Sequence, residues 1–137
     1  GTVLFDSLVR PYLHTEWPEA QKVNGITPEM VAGAPYPHEL LPQLVEIFSE
    51  MSVCIGYNTS FDLGFLDRIG IPTEHLTVID VMQRFVDYLN ANGGTRRRAS
   101  LSTCTKHFDY QWEGAAHNSL ADAKATLYCY NMMKIIK

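Results

Sequence analysis

An α/β fold, a sheet flanked by helices, is what this sequence predicts, and three observations carry the prediction. Short apolar runs alternate with helix-length segments along the chain, the way strands covered on both faces read. Helix punctuation stands at the boundaries: Thr27-Pro28 opens one, while Gly70 with Pro72 and Asn92-Gly93-Gly94 close others. Composition completes the argument, since 46% hydrophobic and 19% charged residues over 137 positions are ordinary for one globular domain. A chain of this length buries about two-thirds of its unfolded surface.

Taken in order, Thr2 to Val9 alternates and is rich in β-branched residues, which predicts a strand that Pro11 ends. A loop with Trp17 and Pro18 comes next. Thr27-Pro28-Glu29 then reads as an N-cap with proline at the first helical position, opening a short helix that Gly33 and Pro35 close. Pro37 starts a longer helix whose stripe of Leu40, Leu41, Leu44, Val45, Ile47 and Phe48 runs to about Glu50. Ser52 to Tyr57 is a short apolar run of strand type, expected to be buried on both faces. Helix is expected from Ser60 to Ile69, strand from Leu76 to Ile79, and helix again from Asp80 to Leu89. A short helix over Ser100 to Phe108 precedes a final one that Asn118 or Ser119 caps and that runs to Ile135. No repeat, low-complexity tract or linker interrupts this order.

Composition also excludes functions. No apolar run approaches the ~18 residues of a membrane span, and no secretory leader pattern is visible. Three widely spaced cysteines, Cys54, Cys104 and Cys129, form no C-x-x-C pair. A reducing, cytoplasmic setting is therefore expected, with Cys54 in the core. The formal net charge of −4 argues against broad electrostatic binding to nucleic acid, but not against a site where metal ions bridge to phosphates. The one basic run, Arg96-Arg97-Arg98, comes after a glycine break and reads first as a solvated turn, second as a phosphate contact.

Two segments carry chemistry. Ser119-Leu120-Ala121-Asp122 and Thr59-Ser60-Phe61-Asp62 both have the form [ST]-x-x-[DE] at a helix start, a capping-box pattern. Capping accounts for the acids but leaves the polar lead-in residues, Asn58 and His117, without a role. His14, His38, His75 and His107 stand in no motif and read as surface or packing residues. Asp80 reads as a helix cap before an active-site neighbour, Phe65 as core, and Tyr110 and Trp112 as loop anchors before substrate platforms.

These residues resemble a known family. Asn58-x-x-Phe61-Asp62-x-x-Phe65-Leu66 is similar to the second motif of the DEDDh, DnaQ-like 3′–5′ exonucleases, and His117-x4-Asp122-Ala123 to the third, whose histidine names the subfamily. Val23 to Thr27 resembles the family's hydrophobic-Gly-Ile-Thr turn, and Ile79-Asp80 its Ile/Met-Asp pair. The resemblance runs in order from Gly1 to about Tyr130. It implies a ribonuclease H-like mixed sheet flanked by helices, and release of nucleoside 5′-monophosphates from nucleic acid 3′ ends. Single-stranded DNA is favoured over RNA, with polymerase proofreading or repair as the setting and a DNA polymerase subunit as partner. It also implies two divalent ions, Mg²⁺ or Mn²⁺, one placing the attacking water and the other stabilising the leaving 3′-oxygen. Asp62 and Asp122 would be metal ligands, since hard cations favour carboxylate oxygens. His117 would take the water's proton, its ordinary pKa of about 6.5 suiting the task. Asn58 and Phe61 would contact the terminal nucleotide.

One part of the pattern is missing. The family's first motif, D-x-E, supplies two of the four acids and occurs nowhere in the chain. Thr2 to Arg10 resembles the third strand of the family's opening meander, so the fold is expected to lack its first two strands. Residues 1–137 are then a single exonuclease domain, N-terminally incomplete, and the start at Gly1-Thr2 favours a segment of a longer protein. A relative that no longer cuts, or a strand supplied by another chain, are the alternatives. The segment alone is expected to cleave little. Two other functions stay open: a non-catalytic nucleic-acid or protein-binding relative, and an RNA-directed exoribonuclease.

Overall fold

The computed structural model describes residues 1–113 and 118–135. Its elements in chain order are α1 (Pro18–Asn24), α2 (Pro28–Val31), α3 (Pro37–Glu50), β1 (Val53–Gly56), α4 (Thr59–Arg68), β2 (Thr77–Asp80), α5 (Val81–Ala91), α6 (Leu101–His107) and α7 (Ser119–Ile135). They fall into two compact units. One comprises Gly1–Met51 and Gly64–His75, the other Ser52–Leu63 and Leu76–Lys137.

In the first unit, helix boundaries obey local chemistry. Thr27 Oγ1 accepts from the Met30 amide at 3.3 Å and caps α2 as its sequence implies. Glu39 reaches back to the Tyr36 amide at 2.7 Å, so α3 starts at Pro37 as expected. Helix α1 has no counterpart among the sequence expectations, which place a loop there. Proline at its first position and Gly25 in the left-handed conformation (φ 71°) after its last residue define it. Four aromatic or cationic residues gather nearby: Tyr12, Tyr36 and His38 stack, with the Arg10 guanidinium 5.1 Å over the Tyr36 ring. His38 is thus a packing residue, as is His75, whose Nε2 lies 3.0 Å from the Phe48 carbonyl.

Thr2 to Val9, expected as a strand, forms none. Its β-rich composition is real, but a strand exists only where a neighbour completes its ladder. Among the described residues this segment has no strand partner, and Val3 and Leu4 remain 50% and 68% exposed.

The second unit holds the sheet found among the described residues. β1 and β2 pair in parallel, Val53 beside Thr77 through Gly56 beside Asp80. Helices α5 and α7 pack against β1, and α5, α6 and α7 pack on one another. The core lies there: Val81, Phe85 and Val86 of α5, Cys104 of α6, Phe108 after it, and Cys129, Tyr130 and Met133 of α7. The expectation that β1 is buried on both faces fails. Only one face is covered, because Val53 and Ile55 alternate onto a side where they are 44% and 37% exposed. Cys54 is accordingly half-buried, and it is Cys104 and Cys129 that fill the core. The Cys104 thiol shares a hydrogen bond with Cys129, and this bond with burial pushes Cys104 well above the usual thiol range. His107 packs edge-on against Phe108, 4.8 Å between ring centres. Tyr110 sits 4.9 Å from the Tyr128 ring and meets Trp112 edge-on at 5.5 Å, the anchoring role expected of that loop.

A parallel pair brings the turns after both strands to one end of the sheet. Gly56, the last residue of β1, is required there: a Cβ at this position would meet Thr59 Cγ2 at 2.8 Å. Thr59 is buried, and its β-branched side chain has little freedom to yield. Gly56→Ala is therefore expected to cost about 1–3 kcal/mol, as overpacking does, read as a lower midpoint in urea with unchanged slope. A neutral result would show that the turn can open without loss.

Candidate active site

At the carboxyl end of β1 the chain turns sharply. Asn58 adopts φ 60°, the left-handed region that asparagine tolerates better than most residues. Its carbonyl accepts the first bond of α4, from the Phe61 amide at 3.1 Å. The first turn of α4 is therefore Thr59, Ser60, Phe61 and Asp62.

Asp80, at the end of β2, holds this turn. One carboxylate oxygen accepts from the amides of Asn58 (3.1 Å), Met82 (2.9 Å) and Gln83 (3.3 Å). The other accepts from the Thr59 amide (3.0 Å) and hydroxyl (3.1 Å). The expected cap is confirmed, since Met82 and Gln83 belong to the start of α5. Sequence reasoning misses the second half, in which the same carboxylate fixes the turn that presents Asn58 and Asp62. The parallel register of Gly56 with Asp80 is what brings the two strand ends together.

Asp62 lies close enough to Asp80 to feel its charge. Partial burial, and then the negative charge of Asp80, push its carboxyl above the usual range. Cys54 is shifted up as well, by burial first and by Asp62 second. Phe61 is 63% exposed, an apolar ring standing beside these acids. Phe65, expected in the core, is 52% exposed and carries the Arg68 guanidinium 5.6 Å over its ring. The i, i+4 spacing from Phe61 puts both rings on one helix face, and that face is not a core face.

Helix α7 repeats the arrangement of α4. Asn118 Oδ1 accepts from the Ala121 amide at 3.3 Å, and the Asn118 carbonyl accepts from the Asp122 amide at 2.9 Å. The cap is thus Asn118. Ser119 is the first helical residue, and Asp122 sits one place beyond the position that a capping box would need. Asp62 stands at the same place in α4. Both acids are therefore first-turn residues one place beyond the capping-box position. Half-buried Asp122 is supported by the bond from Thr126 Oγ1 to its carbonyl at 2.8 Å. His117 lies outside the described residues.

Asn58, Phe61 and Asp62 are thus brought to one strand end beside Asp80, and Asp122 stands on the first turn of α7. Among the described residues no group of three or more His, Cys, Asp or Glu side chains is gathered closely enough to hold a metal ion. The carboxylate-only donors that are present suit a hard divalent cation.

The family model of the RNase T-type exonucleases matches residues 2–130, and the chain belongs to that family. It is a DnaQ-like, DEDDh-type exonuclease domain of ribonuclease H-like fold, and domains of this family generally use divalent metals. Among curated proteins it is similar to two PolC-type DNA polymerases III. That of Halalkalibacterium halodurans is 29% identical over 111 residues, which are 77% of this chain and 7% of the polymerase. That of Clostridium perfringens is 27% identical over 122 residues, 89% of this chain and 8% of the polymerase. A Mycobacterium tuberculosis protein provisionally named a bifunctional exonuclease/endonuclease is 41% identical over 68 residues, 48% of this chain and 10% of that protein. The chain spans a tenth or less of these relatives' length. No solved structure matches it. Among the described residues no helix is long and apolar enough to cross a membrane.

Proposed function

We propose that residues 1–137 act as one metal-dependent 3′–5′ exonuclease domain, releasing nucleoside 5′-monophosphates from single-stranded DNA ends in the cytoplasm, in proofreading or repair beside a DNA polymerase. The observation that carries this reading is the matched pair of first-turn acids, Asp62 and Asp122, each beyond an asparagine that already starts its helix. The PolC names of two relatives favour DNA over RNA.

Asp62 and Asp122 would hold two Mg²⁺ or Mn²⁺ ions, together with acids that this chain does not contain. When bound, such ions supply charge stabilisation at the scissile phosphate and at the leaving oxygen. Asn58 and Phe61 position the terminal nucleotide, the ring against base or sugar. His117 accepts the proton of the attacking water. Oxygen from that water bonds to phosphorus, the P–O3′ bond breaks, and the leaving 3′-oxygen takes a proton from solvent as the shortened strand departs.

Mn²⁺ titration of the full chain tests the metal assignment. Asp122→Asn is expected to weaken binding by more than about tenfold, and equal binding would overturn the assignment. The direction of cleavage is read from DNA labelled at either end with Mn²⁺ present. Loss of the 3′ label first, abolished in Asp122→Asn, supports the reading, and equal digestion by both proteins sinks it. With D-x-E absent the rate is expected to be low, and robust digestion would show that two acids suffice. A second reading is a binding-only relative of the fold, which a parent sequence without D-x-E upstream would favour. Oligonucleotide affinity without any Mn²⁺ affinity would establish it.

A further inference from the structure

We propose that a cavity beside Asn58 is a subsite for a nucleotide of the bound strand, with Arg98 as its phosphate contact. The inference rests on the nuclease reading above and extends it to residues that no motif assigns. The cavity is a shallow concavity open to solvent, of about 350 Å³, lined by Tyr57, Asn58, Met82, Arg98, Ser100 and Leu101, a volume within the size range of small-ligand sites. Its lining is divided as a nucleotide is. Met82, Leu101 and the Tyr57 ring offer apolar wall to a base or sugar, while Arg98 and Asn58 offer donors to a phosphate.

Both sides of the cavity are fixed. Asn58 is held by Asp80 through its amide. The Tyr57 hydroxyl donates to the carbonyls of Ala99 and Ser100, each at 2.9 Å. Burial keeps that phenol far above its ordinary pKa, and so a proton donor. The Asn90 side chain clamps Arg96 from both directions, accepting from its amide at 2.8 Å and donating to its carbonyl at 2.9 Å. The arginine run is exposed, as the solvated turn expected of its sequence would be, and its backbone is pinned at Arg96.

Position selects among the three arginines, since none of them has a carboxylate partner in an ion pair among the described residues. It is Arg98 that lines the cavity. In a chain of net charge −4, which repels a polyanion at long range, an unpaired guanidinium at a concave wall is placed for a local phosphate contact. Because Asn58 belongs both to this cavity and to the turn presenting Asp62, a nucleotide here is continuous with one at the acids.

The test is fluorescence anisotropy of a labelled oligodeoxythymidylate with the full chain, in Ca²⁺ and at several salt concentrations. Arg98→Ala is expected to weaken binding about tenfold and to flatten the log–log salt dependence by about 0.7, the loss of one single-strand phosphate contact. Arg98→Lys should keep the slope, and Arg97→Ala should stay within about twofold of wild type. If Arg98→Ala matches Arg97→Ala while Asp122→Asn still loses Mn²⁺, the subsite is wrong and the nuclease reading stands. If the wild-type chain binds no oligonucleotide, both fall.

Discussion

Asp80→Ala is expected to lower stability by about 2–4 kcal/mol, a large share of the ~5–15 kcal/mol typical of a folded domain. The carboxylate accepts five hydrogen bonds, from Asn58, Thr59 twice, Met82 and Gln83. Loss of a helix cap alone costs about 1 kcal/mol. The remainder comes from donors left unpaired in a half-buried turn. The contributions share one side chain and do not add independently, which sets the upper bound. Tm should fall by roughly 10 °C.

The asymmetry of the bonds sharpens the prediction. Three amides reach one oxygen, while Thr59 holds the other with both its donors. In Asp80→Asn the carbonyl oxygen can take the first position and keep α5 capped, leaving the side-chain amide facing the Thr59 N–H. Amide exchange should then quicken at Thr59 alone, whereas Asp80→Ala should free Asn58, Thr59, Met82 and Gln83 together. Uniform exchange in both variants would show that the carboxylate does not join the two strand ends.

Why some of this is legible in the sequence and some is not depends on the range of the forces involved. Caps, prolines and glycine stops act within a few residues, so α2, α3, α5 and α6 stand close to where the sequence places them. Thr2 to Val9 shows the limit, because β composition states a preference while a ladder needs a partner. Phe65 shows another, since helical spacing fixes which residues share a face but not what lies against it. The same division runs through the site. Asn58, Asp62 and Asp122 are legible as motif residues. The displaced capping register of α7 is not, because Asn118 and Ser119 are both good caps and only the Ala121 amide distinguishes them. Asp80 is half legible: its cap is local, but its hold on Asn58 and Thr59 depends on parallel register across more than twenty positions.

Asp62→Asn is expected to trade function for stability, and the sign is set by the direction of its pKa. Burial and Asp80 raise the folded carboxyl above its unfolded value of about 3.9. Folding therefore favours the protonated form, so stability falls as pH rises through the window between the unfolded and folded values. The penalty then persists to neutral pH. Asparagine removes it. The variant should melt above wild type at pH 7 by no more than a few degrees, because Asp62 is exposed and its charge well screened. That gain should vanish by about pH 3, well below both values, where the wild-type carboxyl is mostly neutral in both states. A gain that survives at pH 3 would assign the effect to packing instead of charge. Metal inverts the order. An ion that binds only the folded state stabilises it by RT ln(1 + [L]/Kd), so saturating Mn²⁺ should lift the wild-type Tm above that of Asp62→Asn. The variant, having lost the proposed carboxylate ligand, should respond little. This crossover separates a carboxylate held for a cation from one that merely sits on a helix. An acid doing no more than extending a cap would lose stability on replacement at pH 7 and show no dependence on Mn²⁺.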